Sequence, residues 1–182
     1  MRHDRIGFVG SALGAAALVV ATAGCSGQSG PGAASAAESE HPLLGASAPD
    51  FELDSAISRE SISLARGQGK VVIVDFWATW CEPCKESFPA YQRLLDKFEG
   101  KLVIVGVSVD ESPDGIRDFA EETRVKFPLV WDDGQALSRK YQPPTMPTSY
   151  VIDKSKIVRF VHAGFKSGDE ARIESEVLSL VN

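Results

Sequence analysis

The cysteines Cys81 and Cys84, with two residues between them, carry the most distinctive chemistry in this chain of 182 residues. The pair follows an apolar run and opens a helical pattern, so Cys81 is expected at the amino-terminal end of a helix. Unpaired N–H groups at such an end favour a thiolate, and the CxxC setting lowers a thiol pKa from about 8.5 by one to several units. The spacing therefore predicts that Cys81 attacks disulfides as a thiolate and that Cys84 resolves the mixed disulfide.

Cys84 is expected to face the protein core. Apolar residues follow it at spacings of four, three, four and three, which is the period of one helix face: Phe88, Tyr91, Leu95 and Phe98. The resolving thiol is therefore predicted to lie behind the attacking one.

Asp75 interrupts an otherwise apolar strand pattern at residues 71–77. Burial disfavours an ionised carboxylate and raises its pKa. A carboxyl group at this position can accept the proton of Cys84 as that thiol attacks the mixed disulfide, and can return it in the reverse reaction. The alternative is a structural Asp that hydrogen-bonds to neighbouring backbone or water.

Five strands and four helices are expected to position these residues. The runs 71–77 and 102–109 are β-branched and almost continuously apolar, as in central strands that are covered on both faces. The other predicted elements are strands at 128–131, 149–152 and 157–162, helices at 82–98, 113–125, 135–141 and 169–181, and a preceding hairpin at 51–53 and 61–64. This alternation predicts an α/β sandwich.

Capping signals mark the starts of two predicted helices. Ser112 is expected as the N-cap of the second helix, with Pro113 at its first position. A capping box formed by Ser167 and Glu170 is expected to open the last helix.

The amino-terminal residues have the pattern of a secretory signal. Arg2 and Arg5 precede an apolar run at residues 6–21, which is too short and too interrupted by Gly to span a membrane comfortably. The next four residues, Thr22-Ala23-Gly24-Cys25, resemble a bacterial lipobox, which implies cleavage before Cys25 and lipid attachment to its sulfur. An ordinary signal peptide cleaved nearby and an uncleaved anchor are the alternatives.

The chain is accordingly divided into a lipoprotein-type signal peptide at residues 1–24, a flexible tether at 25–44 and one folded domain at 45–182. The tether is rich in Gly, Ser, Ala and Pro and has too few large apolar groups to offset the entropy of folding. The domain is predicted to work outside the cytoplasm, held on a membrane by the lipid on Cys25.

Composition excludes several partners and cofactors. The chain has 19 Lys and Arg against 25 Asp and Glu, a net charge of −6, which gives no electrostatic footprint for nucleic acid. Thiolate zinc sites need two cysteine pairs or added His, whereas the one further cysteine is Cys25. Covalent haem attachment needs CxxCH, and Lys85 follows Cys84. No metal site is predicted, and the redox-active cysteine pair is expected to work without a bound cofactor.

Three segments together resemble the TlpA/ResA-like thiol–disulfide oxidoreductases of the thioredoxin superfamily. They are the active-site run at residues 74–85, the entry Gly45-x-x-Ala48-Pro49-Asp50-Phe51-x-Leu53, and Tyr141-x-Pro143-x-x-x-Pro147-Thr148. The resemblance runs from Gly45 to the carboxyl terminus and implies a thioredoxin fold, a central mixed sheet flanked by helices, with an N-terminal hairpin extension. Two positions depart from the family, which often has Asn in place of Asp75 and Glu in place of Ser87.

The resemblance also implies roles for residues around the cysteines. Pro147 is expected to be a cis-proline that faces the cysteine pair, and Met146 is expected to lend its backbone to the substrate chain. Trp80 is expected in the substrate platform, and Glu82 and Pro83, between the cysteines, are expected to tune the redox properties.

The function so implied is reduction of disulfides in exported proteins, for example in cytochrome c maturation. The expected partners are protein substrates and a membrane electron-donor protein, and the protein is expected to be a monomer.

Three other functions fit the sequence less well than this one. A peroxiredoxin shares the Ala-Pro-Asp-Phe entry but has Thr or Ser where this chain has Ala78. A Sco-like copper-delivery module shares the fold but spaces its cysteines as CxxxC and needs a His ligand; His162, the one His of the predicted domain, is interpreted as a strand residue. A purely structural Cys81–Cys84 disulfide would close a loop too small to stabilise much.

Overall fold

The computed structural model describes residues 40–182. Along the chain these residues form β1 (Glu52–Asp54), β2 (Ser61–Ser63), β3 (Val71–Trp77), α1 (Glu82–Lys97), β4 (Leu102–Ser108), α2 (Ile116–Thr123), β5 (Leu129–Trp131), α3 (Ser138–Tyr141), β6 (Thr148–Ile152), β7 (Val158–Ala163) and α4 (Asp169–Val181). The predicted thioredoxin fold with an N-terminal hairpin is confirmed.

One mixed sheet of five strands forms the centre, in the order β5-β4-β3-β6-β7. β3 pairs in parallel with β4 and antiparallel with β6, and β6 pairs antiparallel with β7. β1 and β2 form a separate antiparallel hairpin. The central position of β3 explains why all seven of its residues are buried.

Each face of the sheet has its own core, because successive side chains of a strand point to opposite faces. On the first face, Val71, Ile73 and Trp77 pack with apolar residues of α1, α2 and α4. On the second, Val72, Val74 and Phe76 pack with the hairpin and with Tyr141 of α3. Position 75 therefore belongs to the first face, the one covered by α1.

Ion pairs join α1 to α4 on the first face. Arg93 donates to both carboxylate oxygens of Glu170 at 2.8 and 2.6 Å, and Lys97 lies 2.7 Å from Glu174. At the far end of α4, Lys154 of the β6–β7 turn donates to the carbonyl oxygen of Val181 at 3.0 Å. These contacts connect the last helix to α1 and to the β6–β7 turn.

The predicted strands match the observed ones to within one residue at each end, but the second and third helices are shorter than predicted. Helix α2 begins after Gly115, which takes a left-handed conformation with φ of 81°, so the Ser112 cap was wrong. Ser112 instead bonds to the side chain and N–H of Asp114, which closes a turn before the helix. The predicted helix at 135–141 divides into a 3-10 turn, Asp133–Gln135, and the four-residue α3, since Gln135 also has a positive φ of 57°.

The predicted capping box of α4 was also wrong. Gly168 precedes the helix with φ of 94° and no side-chain cap is present. Glu170 pairs with Arg93, as described above, and the carboxylate of Asp169 accepts the N–H of Lys166 at 2.9 Å. A long-range ion pair thus replaces the local bond that the sequence pattern predicted.

The packed part of the chain reaches back to His41, four residues before the predicted boundary. His41 is buried, and its Nε2 lies 3.1 Å from the carbonyl oxygen of Gln142 and 3.2 Å from the Tyr150 hydroxyl. Residues 41–44 therefore belong to the fold rather than to a tether, and His162 is not the only His in it. The predicted signal peptide, the lipidation of Cys25 and the tether before residue 40 lie outside the described residues. Between residues 40 and 182, no helix is long and apolar enough to cross a membrane.

Candidate active site

Cys81 and Cys84 are joined by a disulfide at the start of α1. The loop that follows β3 brings Cys81 to the N-cap position of the helix, and Glu82 and Pro83 occupy its first turn. The N–H of Cys84 donates to the carbonyl oxygen of Cys81 at 3.1 Å. After reduction, a thiolate on Cys81 would face the unpaired N–H groups of the helix end, which favour negative charge.

The two sulfurs differ in their surroundings. Cys84 is fully buried, whereas Cys81 keeps 3% of its surface exposed and is followed along α1 by solvent-facing residues. Behind Cys84, the buried side of α1 continues through Phe88, Tyr91 and Leu94. Leu94 takes the fully buried place that the sequence pattern gave to Leu95, which is half-buried.

Asp75 is completely buried on the face of the sheet that α1 covers. Burial raises the pKa of its carboxyl from 3.8 to about 8, against the opposing effect of a hydrogen bond from Ser149. The Ser149 hydroxyl donates to Oδ1 at 2.9 Å and also contacts the Tyr91 hydroxyl. Within residues 40–182, the hydrogen-bond partner of Asp75 is thus the side chain of Ser149. An acid that titrates close to neutral pH is suited to exchanging a proton with a thiol.

A second buried carboxylate, which the sequence analysis missed, fixes the loop before Cys81. Both oxygens of Asp110 accept the N–H of Thr79, at 3.2 and 3.0 Å, and Oδ1 accepts its hydroxyl at 2.9 Å. The Ser108 hydroxyl donates to the same carboxylate at 2.7 Å. The position of Asp110 could have indicated this role. It directly follows the apolar run at 102–109, at the sheet edge where β3 also ends.

Trp80 and Met146, both predicted to contact substrate, line one groove of about 420 Å³ beside the disulfide loop. Trp80 is 71% exposed, which is unusual for so large an apolar side chain. The Met146–Pro147 peptide bond is cis, as the resemblance implied, and the Pro147 carbonyl accepts the N–H of Gly164 at 2.8 Å. Other residues that line the groove are Val109, Gln135, Ser138, Arg139, Gln142 and Pro143.

The wall of this groove depends on Asp132, which is also buried. Its carboxylate accepts the backbone N–H groups of Leu137 and Ser138 at 2.9 and 2.7 Å. These bonds hold the start of α3, and with it Arg139, beside Trp80. No local sequence pattern had assigned Asp132 a role.

Glu82 points to solvent between the cysteines, with 85% of its side chain exposed. Lys85 lies 3.8 Å from Glu82 and 3.2 Å from Glu122 of α2. Pairs this exposed contribute little free energy. Glu82 and Lys85 therefore shape the charge presented to a partner near Cys81 more than the stability of the fold.

His162 lies on β7, as predicted, and its Nε2 is 2.7 Å from a carboxylate oxygen of Glu176 on α4. Within residues 40–182, no group of three His, Cys, Asp or Glu side chains is arranged to hold a metal ion. His162, the side chain that a copper site would need, is thus paired with Glu176, and β6 lies between its strand and β3 in the sheet.

Several known proteins are similar in sequence to this chain. Residues 44–161 match the AhpC/TSA family. The thioredoxin-like protein YneN of Bacillus subtilis is 35% identical over 123 residues, which cover 66% of this chain and 71% of the relative. The thiol-disulfide oxidoreductase ResA of Bacillus anthracis is 34% identical over 119 residues, 65% of this chain and 68% of the relative.

Solved structures agree with these sequence matches. A putative thiol:disulfide interchange protein DsbE from Chlorobium tepidum superimposes with a TM-score of 0.72 at 31% identity, over 76% of this chain and 98% of that one. StoA from Bacillus subtilis, at 24% identity and a TM-score of 0.59 over 74% and 99% of the two chains, supports the fold alone. The chain therefore belongs to the AhpC/TSA family and, within the thioredoxin superfamily, is a TlpA/ResA-like enzyme of thiol–disulfide exchange.

Proposed function

We propose that this protein works outside the cytoplasm, tethered to a membrane, and reduces disulfides in exported proteins through Cys81 and Cys84. The observation that carries the proposal is the disulfide at the start of α1, with the exposed Trp80 and its groove beside it. The secretory pattern of residues 1–25 supports the location. Apocytochrome c, whose haem-binding cysteines must be reduced, is one substrate of this class.

The reaction proceeds in two exchange steps. The Cys81 thiolate attacks one sulfur of the substrate disulfide, forms a mixed disulfide and releases the first substrate sulfur as a thiolate. Cys84 then loses its proton to Asp75 and attacks the Cys81 sulfur, which releases the second substrate sulfur. The substrate gains two electrons and the Cys81–Cys84 disulfide forms again, ready for reduction by a membrane electron-donor protein.

Groups on this chain assist each step. The helix end stabilises the attacking thiolate of Cys81. Asp110 fixes the loop that presents Trp80 and Cys81 through its bonds to Thr79. The groove beside Trp80 accepts a segment of the substrate next to its disulfide, and the backbone of Met146 pairs with that segment. We further propose that the enzyme acts as a monomer, without a bound cofactor.

Replacement of Trp80 by Ala should raise KM for a disulfide-containing protein by roughly tenfold, since an exposed aromatic at a contact surface often contributes most of the binding free energy. The rate with a small disulfide, which does not reach the groove, should stay within twofold of wild type. Steady-state kinetics with both substrates measure the two effects. The matched control is Leu178→Ala, which also removes an exposed apolar side chain, but from α4. Equal losses for the protein and the small substrate would argue against a docking role.

Replacement of Cys25 by Ala tests the location. The variant should move from the membrane fraction to the soluble extracytoplasmic fraction, because an acylated Cys supplies about 0.8 kcal/mol per buried CH₂. Reduction of a test protein by the purified variant should equal that of wild type. Cell fractionation with immunoblotting measures the shift, and retention of the variant in the membrane fraction would favour an uncleaved anchor.

A further inference from the structure

We propose that the hydroxyls of Tyr91 and Ser149 are positioning groups for Asp75: they hold its Oδ1 as a fixed acceptor and leave Oδ2 to take the proton of Cys84. The inference rests on the exchange reaction through Cys84 described above. It concerns Ser149 on β6, which no local sequence pattern connects to the cysteines, and the hydroxyl of Tyr91 on α1, to which the helix pattern gave no role.

The three side chains come from three elements that meet behind the disulfide. Asp75 on β3 lies directly opposite Ser149 on the antiparallel strand β6, so both side chains point to the face that α1 covers. Tyr91 follows Cys84 by seven residues on α1, which is close to two full turns. Tyr91 and Cys84 therefore share one side of the helix, and the hydroxyl chain ties the carboxyl group to the helix that carries the resolving thiol.

The direction of the hydrogen bonds from Tyr91 through Ser149 to Asp75 follows from which groups can donate. Ser149 has a single hydroxyl proton, which it donates to Oδ1 of Asp75 at 2.9 Å. In its contact with Tyr91, Ser149 must therefore accept, and the Tyr91 hydroxyl donates. Burial raises the pKa of Tyr91 well above its ordinary 10, and the charge of Asp75 adds to the effect, so Tyr91 keeps its proton throughout the working range.

The two oxygens of Asp75 are thus unequal. Oδ1 is committed to Ser149, whereas Oδ2 is buried and has no hydrogen-bond partner within residues 40–182. A buried oxygen without a partner is costly as a charged atom and is relieved when it takes a proton. As Cys84 attacks the Cys81 sulfur, its S–H bond breaks and its proton passes to Oδ2. The new S–S bond forms and the substrate sulfur leaves as a thiolate.

The other charged groups around these hydroxyls come from α4 and β7. Asp169 and Arg172 of α4 act on Tyr91 with opposite signs. His162 of β7 lies opposite Ser149 in the sheet and is paired with Glu176 of α4. On the β4 side, the neighbour of Asp75 is Gly106, which brings no side chain. Ser149 is therefore the side chain that donates directly to the carboxyl group.

The test is the pH dependence of mixed-disulfide resolution, followed by stopped flow as the reduced enzyme reduces a test disulfide, the direction in which Cys84 attacks. Removing the donor in Ser149→Ala takes away a bond that favours the carboxylate, so the pKa of Asp75 rises further and less base is available at any given pH. The acid limb of the profile should move up by about one pH unit, or about tenfold in rate at a fixed pH on that limb. Tyr91→Phe should move it in the same direction by a smaller amount.

The matched control is Tyr150→Phe. Tyr150 neighbours Ser149 on β6 but faces the opposite core, where its hydroxyl bonds to the Tyr141 carbonyl. This variant loses a buried hydroxyl bond of the same kind, so its melting temperature should fall while its pH profile stays where it is in wild type.

Two outcomes would overturn the proposal. One is a Ser149→Ala or Tyr91→Phe enzyme that melts earlier but keeps the wild-type pH profile, as expected of a purely structural hydroxyl. The other is a further shift of the pH profile when Tyr91→Phe is added to Asp75→Asn. Without the carboxyl group the Tyr91 hydroxyl has nothing to position, so the double variant should keep the profile of Asp75→Asn. A wild-type enzyme that never forms a mixed disulfide through Cys81 would contradict the proposed function instead, and is recognised before any variant is compared. If Ser149→Ala does not fold, Tyr91→Phe still decides the question.

Discussion

A Cys84→Ser variant is expected to accumulate stable mixed disulfides with its protein substrates, whereas Cys81→Ser forms none. Cys81 sits at the N-cap of α1 and Cys84 is fully buried behind it, so the first sulfur is the one that a substrate can reach. Without the Cys84 thiol the mixed disulfide has no internal attacker and persists. Turnover should fall by at least ~10³-fold in either variant, since each exchange cycle needs both sulfurs.

Non-reducing electrophoresis followed by mass spectrometry of the trapped species measures the outcome. The double variant Cys81→Ser/Cys84→Ser serves as the control for nonspecific thiol exchange. Alkylation of the reduced wild type gives an independent check, because Cys81 should react first. Complexes that form through Cys84 in the Cys81→Ser protein would reverse the assignment of the two cysteines.

Asp75→Asn is expected to stabilise the folded protein by an amount that grows with pH. The pKa of Asp75 is raised from 3.8 to about 8 by burial, so between these values the unfolded chain loses its proton while the folded chain keeps it. Asp75 therefore lowers the free energy of unfolding progressively as the pH rises from about 4 to about 8. At pH 7 the gain in Asp75→Asn should be on the order of 4 kcal/mol. Near pH 3 it should vanish.

Urea unfolding of the oxidised proteins from pH 3 to pH 9 measures this dependence. Asp153→Asn is a control of opposite sign. Burial of Asp153 acts to raise its pKa, but hydrogen bonds from Ile157, Arg159 and Ser155 outweigh it and the pKa is lowered. Its carboxylate stabilises the fold above the ordinary pKa, and that stability is lost as the pH falls. If the free energy of unfolding of Asp75→Asn differs from that of wild type by the same amount at every pH, Asp75 does not titrate in this range.

The same substitution should slow catalysis while it stabilises the fold. Below the thiol pKa, Cys84 needs a base, and removal of a positioned general base costs roughly 10²-fold in rate. Stopped-flow rates of mixed-disulfide resolution should therefore converge only at alkaline pH, where the thiol ionises unaided. Overlapping rate profiles of the two proteins would assign Asp75 a structural role.

The central strands and the cysteine helix could be predicted because their patterns are local. The run at 71–77 begins with four β-branched residues and is apolar except at Asp75, and its predicted bounds are those of β3. Asp75 also stood out locally, as a charge among apolar neighbours. The cis bond before Pro147 came from the resemblance, since composition and spacing do not distinguish cis from trans.

The contacts that complete the site could not be predicted in this way because they join distant parts of the chain. Asp110 holds Thr79 across 31 residues, and Ser149 meets Asp75 across 74. Such pairs exist only once the strands lie side by side, in a register that the pattern of one segment does not contain. The predicted start of α2 was wrong for a related reason. Gly115 could adopt the left-handed conformation, and Ser112 formed a turn with Asp114 instead of capping the helix.

The bond between Lys154 and the carbonyl of Val181 places the end of α4 beside the β6–β7 turn, at the amino-terminal end of β3. The cysteines follow the other end of that strand, seven residues or about 20 Å further along. A peptide tag or fluorophore fused after Asn182 would therefore project away from the edge where substrates bind. Such a fusion would allow trapped partners to be recovered from the native host without a handle that competes with them for the Trp80 groove.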